Sequence, residues 1–242
     1  MCDVWGRKMN ATAPLVSAWL PKTARCLLIC AGMMIPLVTS AVAAPLHPTT
    51  IIAFGDSLTA GYGVKASESF PVQLQMALAA KGHKVTIVNA GVSGDTTSGG
   101  LERLDWALDP KPDAVILELG ANDALRGIDP KVPRANLDKM LADLKAKGIP
   151  VLLTGMKAPN NWGDDYVKKF DAIFPDLAAK YSVPLYPFFL EGVALDRSFS
   201  QSDGLHPTGK GVAEIVKRIL PDVEALLARI AENQASGKQA AP

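Results

Sequence analysis

Four short segments of this 242-residue chain carry groups that can together do nucleophilic chemistry. Gly55-Asp56-Ser57-Leu58 offers a hydroxyl, Ser93-Gly94-Asp95-Thr96 a glycine backbone, Gly120-Ala121-Asn122-Asp123 an amide, and Ser202-Asp203-Gly204-Leu205-His206-Pro207 an imidazole. A serine hydroxyl becomes a nucleophile when a base within hydrogen-bond reach takes its proton. The chain has three histidines to choose from. His47 sits in a Pro-flanked segment near the N-terminus, and His83 lies in a helix-to-strand turn, Lys81-Gly82-His83-Lys84, at the wrong end of a sheet. His206 is the well-placed candidate. Asp203 stands three residues before it with Gly204 between, so a tight turn can bring the carboxylate to Nδ1–H and hold the ring's tautomer and orientation. The Ser57 N–H, at a helix N-terminus, can face an incoming carbonyl oxygen. The Gly94 N–H and the Asn122 amide can converge on that oxygen, giving the donors that acyl transfer needs for its oxyanion. Taken singly, each loop is ordinary turn chemistry; three in succession after three strands are harder to dismiss.

The elements that must position these groups are legible in the apolar pattern. Short apolar runs at Ile51–Phe54, Val85–Val88, Ala114–Leu117, Val151–Leu153 and Val183–Tyr186 read as five strands. Helical spacing is expected over Phe70–Lys81, Leu101–Leu108, Ala135–Lys147 and Tyr166–Tyr181, with Pro175 kinking or dividing the last. A final helical stretch follows Pro207 towards Asn233 with a break near Pro221, and residues 234–242 read as a disordered tail. Strands alternating with helices predict a parallel sheet covered on both faces. Ligands in such folds sit beyond the carboxyl ends of the strands, where the Ser57, Gly94 and Asn122 segments fall.

Composition narrows the function. Hydrophobic residues make up 48% and charged residues 20%, a globular balance with enough apolar material for a core. The formal net charge of +1 falls to −2 when residues 1–43 are left out. That is a poor match for nucleic acid, which needs a basic footprint. The three cysteines, Cys2, Cys26 and Cys30, all lie in the first 43 residues, so the body has no cysteine nucleophile, cysteine zinc site or disulfide. Lys22 and Arg25, the apolar run Cys26–Val38 and Ser40-Ala41-Val42-Ala43 together read as a secretory signal peptide over residues 1–43. Ala44 would then be the first mature residue, and Met9 is an alternative start. The apolar run is shorter than the roughly 20 residues of a membrane span, which speaks against an uncleaved anchor. Residues 44–233 form the expected domain. A periplasmic or secreted monomer, with no stable membrane insertion after cleavage, is the expectation.

The four segments, in this order and spacing, resemble the SGNH (GDSL) hydrolases over roughly residues 50–225. The stretches Gly55–Tyr62, Val88–Thr96, Leu117–Gly127 and Val183–Phe189 look most like bacterial periplasmic enzymes described as thioesterase, lysophospholipase and arylesterase. The resemblance implies a three-layer α/β/α sandwich with a five-stranded parallel sheet and a Ser57–His206–Asp203 triad. It implies an oxyanion hole from Ser57, Gly94 and Asn122, and no cofactor or metal. It also implies substrate contacts at Asp56 and Asp95 beside the motif residues, at Met156 and Pro159 after the fourth strand, and at Leu205. The substrates expected are short- to medium-chain acyl or aryl esters, thioesters or lysophospholipids. Ala121 departs from relatives that have glycine there, and the loop Met156–Gly163 differs enough that no chain-length preference carries over.

Two other readings stand beside this one. Gly55-Asp56 and Asn122-Asp123 superficially resemble metal-binding loops of phosphoesterases, but a two-metal clamp needs several histidines. A non-catalytic binding protein on the same scaffold is the other, since fold alone does not fix function.

Overall fold

The computed structural model describes residues 48–109 and 111–235. The expected leader, His47 and residues 236–242 of the expected tail lie outside the described residues.

Five strands form one sheet: β1 (Thr49–Gly55), β2 (Val85–Gly91), β3 (Ala114–Glu118), β4 (Val151–Thr154) and β5 (Leu185–Tyr186). Their order is β2-β1-β3-β4-β5 and every pairing is parallel. The chain steps from β1 to β2 on one side, then returns past β1 to β3 on the other. That reversal opens a crevice at the carboxyl ends of β1 and β3, where ligands bind in such sheets. β1, β3 and β4 are buried almost throughout, as central parallel strands covered on both faces must be. β2 and the two-residue β5 are the edges, and β2 is only partly covered.

Among the described residues eight α-helices cover the sheet: α1 (Ser57–Ala60), α2 (Phe70–Ala80), α3 (Thr97–Ala107), α4 (Ala121–Leu125), α5 (Lys131–Ala146), α6 (Asp164–Asp171), α7 (Ile173–Tyr181) and α8 (Gly209–Ala235). α2 packs with α8, and α3 and α7 pack on α5, giving the three-layer α/β/α architecture. The core where these layers meet includes Ile52, Phe54, Leu74, Ile116, Leu117, Leu152, Phe174 and Ile219. Each such side chain contributes roughly 1.5–3 kcal/mol by leaving water. Truncating Phe54 to alanine, at the tip of β1, should cost about 3–5 kcal/mol.

Several boundaries differ from the sequence pattern for identifiable reasons. α3 starts four residues early because Thr96 caps it, accepting from Gly99 N–H at 3.5 Å. α5 starts at Lys131, with Pro133 in the first turn, where its missing N–H costs no helical hydrogen bond. The expected division near Pro175 falls at Ala172, between α6 and α7. Proline cannot donate to the carbonyl four residues back, Asp171, so the earlier helix ends there. The expected break at Pro221 does not occur: α8 runs through it to Ala235, taking in two residues assigned to the tail. Pro221 is exposed, so water can satisfy the carbonyl left without a donor, while buried residues on either side hold the helix to the sheet.

Candidate active site

The tip of β1 feeds directly into α1, and Ser57 is the first helical residue. Asp56 caps that helix, its Oδ1 accepting from Leu58 N–H at 2.9 Å. The Ser57 N–H, as a first-turn donor, has no intrahelical acceptor. Its hydroxyl meets His206 Nε2 at 2.9 Å, across 149 residues of sequence. On the other edge of the ring, His206 Nδ1 lies 2.7 Å from Asp203 Oδ2. Asp203 Oδ1 also accepts from Leu205 N–H at 2.9 Å and His206 N–H at 3.0 Å. Ordinary turn chemistry thus places the carboxylate: an aspartate bonding backbone two and three residues on. The hydrogen bond from the His206 side chain, with the two N–H donors behind it, holds the Asp203 carboxyl down at about 2.

The His206 loop is braced from both sides. Gln201 N–H donates to His206 O, and Thr208 N–H to Phe199 O. Gln201 Nε2 reaches Tyr62 O at 2.8 Å. The Tyr62 ring lies 4.6 Å from the His206 ring, centroid to centroid. The chain after α1 and the chain before α8 therefore hold the imidazole between them.

The Gly94 and Asn122 segments sit at the tips of β2 and β3. Gly94 sits at φ +87°, a left-handed conformation that glycine adopts without strain, and an added Cβ would meet little there beyond Arg126. Backbone angle rather than crowding is what calls for glycine. Gly120, at φ +116°, makes the turn that starts α4 and delivers Asn122. Asn122 Nδ2 donates to Asp56 Oδ2 at 3.1 Å and to Asp95 O at 2.9 Å. Both amide hydrogens are thus engaged. The backbone N–H groups of Ser57 and Gly94 have no acceptor among the described residues.

Residues 53–213 match the model of the GDSL-like Lipase/Acylhydrolase family. The chain belongs to this family. The arylesterase of Vibrio mimicus is 43% identical over 174 residues, covering 70% of this chain and 87% of the relative. Thioesterase 1/protease 1/lysophospholipase L1 of Escherichia coli K12 is 42% identical over 159 residues, covering 65% and 75%. A crystal structure of TesA aligns at a TM-score of 0.70 with 38% identity, covering 74% of this chain and 99% of that one. As a GDSL-like acylhydrolase the chain is an enzyme of carboxylic-ester hydrolysis, and its α/β fold with a five-stranded parallel sheet is the one the resemblance implied.

The GDSL-like scaffold gathers Ser57, Asn122, His206, Met156, Pro159 and Leu205 on one cavity of about 560 Å³. Asp56 and Asp95, expected beside the substrate, are not among its lining residues. Asp56 is wholly buried; it caps α1 and accepts from Asn122. Burial pushes its carboxyl up to about 6, against the lowering effect of the Leu58 and Asn122 hydrogen bonds. The Asp95 carboxylate turns to Arg103, with Nε 2.6 Å away. Both hold Asn122, Asp56 by side chain and Asp95 by backbone. His83 pairs with Glu224 near the amino end of β2, far in the fold from this cavity, as the pattern implied.

Three supporting residues escaped the sequence reading. Glu118, at the end of β3, is fully buried and takes hydrogen bonds from Thr59 Oγ1 at 2.7 Å and Asp56 N–H at 3.3 Å. Its Oε1 has no partner among the described residues, and burial beside Asp56 raises its carboxyl well above the usual range. Arg103 ties the strand tips together, donating to Ala90 O and Gly55 O at 2.8 Å each. Its guanidinium also lies 4.0 Å over the Phe54 ring. Tyr62 is the third. The repeated Gly-Asp-Ser and Asn-Asp signals drew attention to loops, whereas Glu118 closes an apolar strand and Arg103 sits mid-helix. An acid ending a buried run is the one signal that marked Glu118.

Proposed function

We propose that this chain hydrolyses short- to medium-chain acyl or aryl esters, thioesters or lysophospholipids through an acyl-enzyme on Ser57. The observation that carries this reading is the continuous relay from Ser57 Oγ through His206 to Asp203, at 2.9 and 2.7 Å, on the wall of a largely apolar cavity. His206 Nε2 takes the hydroxyl proton as Ser57 attacks the carbonyl carbon. The developing oxyanion rests on the N–H groups of Ser57 and Gly94, with the Asn122 amide turning part of its hydrogen bonding towards it. His206 then gives its proton to the departing alcohol or thiol. Water enters, His206 deprotonates it, and collapse of the second tetrahedral intermediate frees the acid and Ser57. Asp203 stays ionised and steadies the imidazolium. The residues need no metal or organic cofactor to complete these steps. Relatives named arylesterase and thioesterase 1/protease 1/lysophospholipase L1 support the substrate range.

We also propose export to the periplasm or outside the cell, on the strength of the leader pattern in residues 1–43, with action as a monomer. Among the described residues no helix is long and apolar enough to cross a membrane. Fractionation and N-terminal sequencing of the mature protein should give a chain beginning at Ala44; a chain retaining residues 1–43 would overturn the leader.

The deciding experiment is hydrolysis of p-nitrophenyl esters of increasing chain length by the protein from Ala44, in EDTA, beside Ser57→Ala and His206→Ala. Turnover that needs both side chains and ignores EDTA is expected. Equal turnover by Ser57→Ala would overturn the mechanism, and none by any form would point to a binding protein.

A further inference from the structure

Leu195 combines two unfavourable features at one position. The residue is 96% exposed, the most of any large apolar residue described. Its backbone sits at φ +68°, the left-handed region that a branched apolar residue rarely enters. Two other non-glycine residues share that region, Lys111 and Ser182. Ser182 ends α7 as its left-handed cap and Lys111 lies in the turn after α3; both are polar and sit where such conformations commonly end helices. Leu195 also follows a helical turn, closed by Ala194 N–H to Leu190 O, but it is apolar where they are polar.

Backbone hydrogen bonds fix the turn on both sides of it. Ala194 N–H donates to Leu190 O, and Asp196 N–H to Val193 O. Asp196 O then takes the N–H groups of Phe199 and Ser200, and Val193 is buried. Strain that the surroundings over-determine in this way gathers at ligand-binding positions. The place is telling. Leu195 lines the cavity that holds Ser57 and His206, beside Val193 and Ala194. It also lines a second space of about 560 Å³ edged by Arg197, Gln201 and Asp203. Leu195 is thus common to the linings of both spaces.

We propose that Leu195 is a specificity-determining contact that covers the far end of an acyl chain lying in the apolar cavity, so that it favours longer chains. The inference rests on the reading that this cavity takes the acyl group. An acyl chain reaching the mouth removes the Leu195 side chain from water, and a short one leaves it bare. The strained turn holds the contact ready rather than letting it fold onto the protein.

The test uses two variants that both tolerate a left-handed backbone. Leu195→Gly removes side chain and strain together; Leu195→Asn keeps the turn and replaces the apolar surface with a polar one. For each, kcat/KM is measured on p-nitrophenyl octanoate and acetate, and decanoate binding is measured calorimetrically in a Ser57→Ala background. The octanoate-to-acetate ratio should fall about tenfold in both variants, chiefly through KM, the lower end of what a lost methylene-sized contact does to selectivity. Decanoate binding should weaken by a similar factor. An unchanged ratio with unchanged decanoate binding would overturn the proposal, as would a loss confined to Leu195→Gly, which would trace to backbone loosening. If no ester is turned over but decanoate binding still weakens, the proposed catalysis fails and the Leu195 contact stands.

Discussion

The floor of the site and its rim are built on opposite physical terms. The floor, at the tips of β1 and β3, is buried and polar: Asp56, Glu118, Asp123 and Thr97 are each fully withdrawn from water. They are held by one another, with Thr97 N–H and Oγ1 donating to Asp123 at 2.8 and 2.7 Å. The rim, from Leu190 to His206, is largely exposed, buried Val193 apart, and is held by short-range turn hydrogen bonds. Two aspartates measure the difference. Desolvation raises Asp56 to about 6, while hydrogen bonds from His206 and its backbone lower exposed Asp203 to about 2. The floor thus carries a free-energy cost in exchange for rigid placement of Asn122, and the rim places His206 and Leu195 with local turns instead.

The largest effect should come from the residue where floor and rim meet. Ser57→Ala should lower kcat on the order of 10⁶-fold, as removal of a triad nucleophile does, and should abolish covalent labelling by an organophosphonate read by mass spectrometry. Full labelling of that variant would sink the assignment. Asn122→Ala should cost about 10²–10³ in kcat with KM little changed. A loss confined to KM would move Asn122 from transition-state stabilisation to ground-state binding.

Glu118 tests whether the floor is held by shape or by charge. Glu118→Ala should cost about 2–4 kcal/mol in urea unfolding, since it empties a buried volume and strands the Thr59 hydroxyl and Asp56 N–H. Glu118→Gln keeps an acceptor for both and should cost under about 1 kcal/mol. Equal losses would mean that the ionised form is what the floor requires.

The two aspartates also predict pH dependences of opposite sign. Asp56 holds its proton more tightly folded than unfolded, 3.8 rising to about 6. Its contribution is therefore complete below about pH 4 and is lost as pH rises through 6, on the order of 2–3 kcal/mol. Asp203 goes the other way, 3.8 falling to about 2, so its contribution is complete above about pH 4 and is lost as pH falls through 2. Urea midpoints against pH should lose their decline between 4 and 6 in Asp56→Asn, and the smaller acid loss below 4 in Asp203→Asn. If neither slope changes, the two environments differ less than their geometry indicates.

Much of this protein is written locally. Strand runs, helix spacing and the turn around Asp203-Gly204-Leu205-His206 each depend on neighbours within a few residues, so they could be read before any fold was known. The parallel sheet followed from alternation, and the location of Ser57, Gly94 and Asn122 beyond its carboxyl edge followed from that. What local pattern could not decide was direction and depth. Asp56 and Asp95 sit beside motif residues yet turn inward, because Asn122 and Arg103, 66 and 8 residues away, supply their partners. Glu118 reads as the polar end of a strand until β1 and α1 close over it. Pro221 reads as a break until its exposure lets α8 continue. The sequence alone determined which groups are present and in what order they meet the strand ends. Tertiary structure alone decided which carboxylates are desolvated and which apolar side chain is held out in water, because desolvation and exposure depend on segments brought together across the whole chain.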